Sequence, residues 1–506
     1  MRSNHQWGAI GAPGGVATGS QRFLAVIFVT SIAMFLFALF MVFSGEGMFL
    51  LHGPILLLST MLVFMSGISY LVNPSRSAGL FLIGLLYFAF DATLREGLAA
   101  GGGDLQSVVK GLFSVCLLIY GIFTGGKHLL VRPVVVLFFL YAAFGLASSY
   151  YSSAVILGIG SGIALMAIAL MMADYASRGN GEMFRLWRTL YIASVVMGIG
   201  SLAMLAIYPL NAQDLAMAGS FRLRGLTGSA NSLGPVMAIG LIAGMLVWKK
   251  HKDQRELRWL HGVLCAMLAI LLLLTNSRTS IVAYLVSVTS VWIVMTFGSM
   301  GVLLTAFVAM CVGFMMLYPN LMNSVMTLAA ELFARSGGVQ ELSSLTGRDE
   351  IWKACVRLIE GSPWIGYGLG SVRIEIPRTW EDMWGNSAAT AHNGFLESMI
   401  SVGLVGTVPL FLALFYCLYI FVRYFAGRAT TAVPQVEPGD DRALAICGMQ
   451  CLGFLIVHSL AEKSFAGTAA PATMALGLCV ATAAYLERVR WNKQPLLVKT
   501  RLWAKG

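Results

Sequence analysis

Residues 271–285 read LLLLTNSRTSIVAYL. Two apolar runs flank a short polar break, and Arg278 stands inside it. The flanking runs, near 260–275 and 280–297, approach the ~20 apolar residues that a bilayer crossing needs. Working outward in both directions, fourteen such runs lie between residues 23 and 486. The third, near 78–93, is short and carries Asp91. Only 11% of the 506 residues are charged, against about 25% in a soluble domain. Mean hydropathy is +0.79. In lipid the backbone must satisfy its own hydrogen bonds, so these runs are predicted to be helices. The expected fold class is an all-α polytopic membrane protein with about 14 transmembrane helices. The N-terminus leads straight into a full-length run, so the first helix is expected to be retained rather than cleaved.

The net charge of +11 does not call for nucleic acid, because basic residues collect on cytoplasmic loops of such proteins. With the N-terminus inside and fourteen crossings, about two thirds of the 34 Lys and Arg fall on inside segments. Half of the remainder lie in one long outer loop, and long loops escape the charge rule. The expected organisation is a membrane domain over 1–318, a large periplasmic loop over 319–391, membrane helices over 392–486 and a basic cytoplasmic tail over 487–506. Of the eight cysteines only Cys355 falls in a long loop, so a disulfide framework is excluded. Cys447 and Cys451 are one turn apart in an apolar run, where packing is their expected role. Cysteine and histidine do not cluster at metal-ligand spacing.

Four unusual segments then face outward. In RLRGLTGSANSLGP (222–235), glycines and a Ser/Asn run predict a tight turn into a helix, with Ser229 or Asn231 as its N-cap. Arg224 precedes that turn, and Arg222 is an alternative to it. Arg278 sits at a membrane boundary, where a charge is costly and marks a functional site by default; snorkelling to headgroups is the competing reading. In the long loop, LTGRDEIWKACVRLIEGSPWIGYGLGS (345–371) predicts an amphipathic helix. Thr346 and Asp349 form a capping box, and Ile351, Trp352, Cys355, Val356 and Ile359 mark its apolar face. Arg348, in the first turn, opposes the helix dipole and calls for an anion there, either a ligand or a neighbour such as Asp349 or Glu350. GYGLGS (366–371) has the look of a phosphate-cradling turn, but no P-loop lysine follows. The fourth segment, ATAHNGFLES (389–398), sets His392 and Asn393 at the start of an apolar run. An imidazole is suited to taking a proton near neutral pH. Guanidiniums bind phosphate oxygens in a bidentate way. One base beside a phosphate clamp at a membrane surface points to transfer of a group from a lipid phosphate carrier.

Taken in order, RLRGLTGSANSLGP, TNSRTS, LTGRDEIW, SPWIGYGLGS and AHNGFLESMISVGLVG resemble the bacterial O-antigen ligase and Wzy-type polymerase superfamily. HSLAEKSFAG (458–467), with Glu462, is similar to its ExoQ-like exopolysaccharide polymerase branch. The resemblance covers about 220–410. It implies a GT-C-type, metal-independent, inverting glycosyltransferase without cofactor, in the bacterial inner membrane with its site facing the periplasm. The implied donor is a glycan on undecaprenyl pyrophosphate, and the acceptor is a sugar hydroxyl. Other implied partners are membrane lipid and, as a candidate, a chain-length regulator. By the same resemblance His392 is the general base and Arg224, Arg278 and Arg348 contact the pyrophosphate. Asn393 is expected to orient the imidazole or the acceptor, and Trp364, Trp380 and Trp384 to stack on sugars. Should His392 not be the base, Glu397 and Glu462 are next. The rival within the class is an O-antigen ligase acting on lipid A core. The rival outside it is a lipid-linked sugar flippase, which needs a charged path across the midplane.

Overall fold

The computed structural model describes residues 84–89, 105–129, 132–214, 221–317, 348–380, 388–426 and 439–491, apart from 87 and 252. The runs expected before residue 84, with Asp91, Thr346 of the capping box, Trp384, and the tail beyond 491 lie outside these residues. The described residues are helical, with a single isolated antiparallel bridge between Gln213 and Leu223. Nine of their helices are long and apolar enough to cross a membrane.

The helices are α1 (Leu105–Leu129), α2 (Pro133–Ser148), α3 (Val155–Arg178), α4 (Asn180–Ile207), α5 (Ala230–Lys250), α6 (Arg255–Leu274), α7 (Arg278–Leu317), α8 (Arg348–Gly361), α9 (Val372–Thr379), α10 (Gly394–Ala426), α11 (Gly439–Ser459) and α12 (Pro471–Trp491). α1 lies along α3, α2 packs between α3 and α10, and α5 packs on α4 and α6. α11 contacts α7 and α12. α5 and α12 are the most enclosed, which suits their many alanines and glycines: small side chains let helix backbones approach closely.

Two of these helices are broken by a glycine with left-handed backbone. In α7, Gly298 has φ 56°, and Gly301 returns to the backbone of Ile293, so the chain reverses there. The two runs expected at 280–297 and 301–318 meet at that reversal. In α10, Gly403 has φ 59°. Across it Ser398 and Thr407 share a hydrogen bond of 2.9 Å, and the Phe395 and Phe411 rings stack at 5.1 Å. Residues 394–402 are therefore a short arm folded against the long helix. An L side chain rarely adopts that φ, and a glycine permits the turn.

Helices α8 and α9 pack on α10. The buried face of α8 is Ile351, Ala354, Cys355 and Leu358; Ile351, Cys355 and Leu358 pack with Val372 and Ile376 of α9 and with Ala391 and Ile400. Val356, expected on that face, is 47% exposed. Substituting position 354 for 356 keeps the i, i+3, i+4, i+7 stripe that a 3.6-residue period dictates. GYGLGS is a packing turn. Gly366, Gly368 and Gly370 have φ of 66°, 94° and 84°. The amides of Tyr367 and Gly368 donate to the carbonyls of Ile400 and Ser401, and that of Leu369 donates to Ser148 Oγ. A Cβ at Gly366 or Gly368 would stand about 2.5 or 2.6 Å from neighbouring backbone. These amides bond to protein, so the phosphate-cradle resemblance has no free donors behind it at those three positions.

Candidate functional site

The segments singled out in the sequence meet at one end of the helix bundle. Glu462 stands at their centre, in the turn after α11. Ser229 caps α5, accepting from Ser232 N at 3.2 Å. That frees the Asn231 side chain, whose Nδ2 donates to Glu462 Oε1 at 2.8 Å. Arg222 donates to Asn231 Oδ1 at 2.7 Å and faces Asp214 at 3.7 Å. Arg348, first residue of α8, donates to Glu462 Oε1 at 2.6 Å. The anion its helix start demanded is thus Glu462, 114 residues away, rather than Asp349 or Glu350. His392 Nδ1 lies 3.1 Å from Glu462 Oε2.

Burial pushes the Glu462 carboxyl up, but the hydrogen bond from His392 and the charges of His392 and Arg348 outweigh it. The carboxyl is held below its ordinary value and is an anion at neutral pH. The line Asp214, Arg222, Asn231, Glu462, with Arg348 and His392 on the last carboxylate, alternates acceptor and donor throughout. Such alternation is what lets charges stay buried at tolerable cost. Arg222 Nε is buried and has no acceptor among the described residues.

Local structure fixes His392. Its backbone is left-handed, at φ 46°, a strained position for a non-glycine residue. Ala391 on one side is bonded twice: its amide to Glu397 Oε2 at 2.9 Å and its carbonyl to Trp352 Nε1 at 3.0 Å. Asn393 on the other side caps α10 through Oδ1, which accepts from Phe395 N and Leu396 N. Its Nδ2 donates to the Leu460 carbonyl, two residues before Glu462. The side chain of Asn393 is therefore tied into the scaffold at both ends. The other two left-handed non-glycine residues described are Asn276, two residues before Arg278, and Ser464, two residues after Glu462.

Arg224 is adjacent but outside the line. Its Nε donates to the Asn211 carbonyl at 2.8 Å. Of the RLR pair, Arg222 is the one that faces the cluster. Arg278 opens α7, and the bond from Leu223 N to Leu274 O (2.9 Å) holds the RLR segment against the end of α6 just ahead of it. Ser280, two residues on, contacts His458 Nε2 at 3.2 Å, and His458 precedes Glu462 by one helical turn. Trp364 is exposed, while Trp380 is packed against the cluster that seats α8.

Sequence reading missed Arg222 as the preferred arginine, and missed Asn231 as a ligand of Glu462. Which arginine of RLR turns inward is not encoded by spacing. The i, i+4 spacing of His458 and Glu462 is the one signal that could have flagged the α11 end as polar on its inner face.

A bundle of apolar helices with this polar cluster at one end is a multi-pass membrane protein. Residues 263–411, under a third of the chain, match the family model described as O-Antigen ligase. The match takes in Arg278, Arg348 and His392 but not Arg222, Asn231 or Glu462. Over 141 residues the chain is 27% identical to "Exopolysaccharide production protein ExoQ" of Rhizobium meliloti (strain 1021). That alignment spans 25% of this chain and 30% of the relative.

Proposed function

We propose that this protein is a glycosyltransferase that polymerises lipid-linked repeat units of a surface polysaccharide at the periplasmic face of the inner membrane. The observation that carries this reading is the convergence of His392 and Arg348 on one buried carboxylate at one end of the bundle. The similarity to an exopolysaccharide production protein supports polymer synthesis, and the O-antigen ligase family supports transfer of a preassembled glycan. The donor is a glycan on undecaprenyl pyrophosphate and the acceptor a sugar hydroxyl of a second lipid-linked unit.

In the reaction the acceptor oxygen attacks the anomeric carbon from the face opposite the pyrophosphate. A glycosidic C–O bond forms, the bond to the phosphate oxygen breaks, and its electron pair leaves with the pyrophosphate. The hydroxyl proton passes to His392. Attack from the opposite face inverts the anomeric centre. The leaving group gains charge, and fixed guanidiniums stabilise that charge without reorganising. The line of hydrogen bonds supports Arg348 and Arg222 in this role, and Arg278 and Arg224 are the further candidates. Arginine supplies the countercharge, so the reading invokes no metal. The gathering of these groups at one end speaks against a flippase, which needs charge at mid-bilayer.

A second reading, O-antigen ligase, rests on the family description. Purified protein given a defined lipid-linked repeat decides between them. Polymer from the repeat alone supports polymerisation, and product that forms only when a lipid A core acceptor is added supports ligation. No transfer in either arm overturns the enzymatic reading. EDTA is expected to leave turnover unchanged, and a loss that Mg²⁺ restores overturns the metal-free mechanism.

A further inference from the structure

Glu462 has more partners than a general base can spare. Oε1 accepts from both Arg348 and Asn231, and Oε2 faces His392. Its side chain is 9% exposed, against 34% for His392. A carboxylate that accepts several hydrogen bonds and faces a guanidinium is a weak proton acceptor. It is also acceptor-only, so the His392 nitrogen that faces it must be the one that bears hydrogen. In a neutral imidazole with Nδ1 protonated, the lone pair is on Nε2.

We propose that Glu462 is a positioning residue: by accepting from His392 Nδ1 it fixes the imidazole tautomer and leaves Nε2 as the basic nitrogen. This rests on the reading of His392 as general base given above. The same carboxylate holds Arg348, so the base and one phosphate-binding guanidinium take their places from a single side chain. The backbone agrees. Asn393 Nδ2 binds the Leu460 carbonyl, which ties the His392 segment to the Glu462 turn independently of the imidazole. The ionisable groups around the pair are Arg348 of α8, His458 at the end of α11, Lys463 beside Glu462, Arg222 behind Asn231, and Glu397 below Ala391.

Full-length protein in detergent, assayed with an undecaprenyl-pyrophosphate-linked repeat, tests this. Glu462→Gln is expected to lower kcat at least about 10-fold, because an uncharged partner no longer enforces the tautomer. Donor KM is expected to change far less than kcat. The acidic limb of the pH profile is expected to move to lower pH, since a neighbouring anion favours the protonated imidazole and the variant lacks it. In a His392→Ala background, Glu462→Gln is expected to cost several-fold less than in wild type, because the share that acts through the imidazole is already lost and only the share through Arg348 remains. Should Glu462→Gln not fold, Glu462→Asp carries the test. It keeps the charge but withdraws it by one methylene, so its limb moves the same way by less and kcat falls. Full activity of His392→Ala overturns the functional reading itself. Loss in His392→Ala together with an unmoved limb in Glu462→Gln, or in Glu462→Asp, overturns the positioning role alone. So does a Glu462→Gln cost that multiplies fully onto His392→Ala.

Discussion

His392 has a strained backbone, a neighbour bonded on each side and one ring nitrogen committed to Glu462. Those constraints belong to a side chain whose direction matters. His392→Ala is expected to leave a folded protein that still binds the lipid-linked donor but turns it over about 10²-fold or more slowly. A group that acts in the transition state lowers turnover rather than ground-state affinity. Donor binding by the variant, measured beside its kcat, checks this. His392→Gln at near-normal activity with an unchanged acidic limb would place the base elsewhere. For Arg278, Lys is expected to damage activity nearly as much as Ala, because it keeps the charge but loses the planar fork. Most of the activity surviving in Arg278→Lys would mean that a point charge suffices. Glu462 also bears on stability. Its folded carboxyl is held below its ordinary value. It therefore stabilises the fold above the unfolded glutamate range and loses that contribution as pH falls through the depressed folded value. Melting curves of wild type and Glu462→Gln are expected to differ at pH 7 and to converge in acid.

At the scale of the elements, α8 is held by a narrow stripe. Cys355 at its centre is fully buried, and burial pushes its thiol up to about 12. A buried neutral thiol is inert. Maleimide is expected to leave Cys355 unlabelled in the folded protein and to label it on denaturation; rapid labelling of the native protein would mean that α8 is not seated as described. Gly403 is the other point of leverage, since a Cβ there would stand 2.3 Å from Trp364 backbone. A strain-free Gly→Ala replacement stabilises by up to about 1 kcal/mol, whereas Gly403→Ala is expected to destabilise by more than that amount, read as a lowered melting temperature in detergent. Both features show how far the sequence carries. The period of α8 was legible, and its one misplaced member, Val356, differs by a small rotation that only the packing of α9 decides. The reversal at Gly403 was not legible, because AHNGFLESMISVGLVG is apolar on both sides of the glycine and nothing local says that the arm turns back. Glu462 was legible as a candidate but not as a hub, since its partners come from 70, 114 and 231 residues away.

At the scale of the molecule, the two ends of the bundle differ. The site occupies one. At the other, Arg488 donates to the carbonyls of Ser177 and Arg178, Asn180 binds Asp441, and Lys249 and Lys250 end α5. Basic helix ends on one side are what the positive-inside rule expects of the cytoplasm. A cysteine introduced at Lys252 is expected to resist an impermeant reagent in intact cells, and one at Gln340 to react. The reverse pattern overturns the orientation and the periplasmic site with it. The glycine turn at 366–370 has a consequence for the chain's connectivity. It fastens α8 and α9 to α2 and α10 through backbone bonds to Ser148, Ile400 and Ser401. The piece carrying Arg348 is thus attached to the C-terminal half by contacts that do not depend on the peptide link to α7. A gene split near residue 340 would yield two polypeptides, each incomplete, whose matching surfaces already exist. Co-expressed with a tag on only one, the halves are expected to purify together.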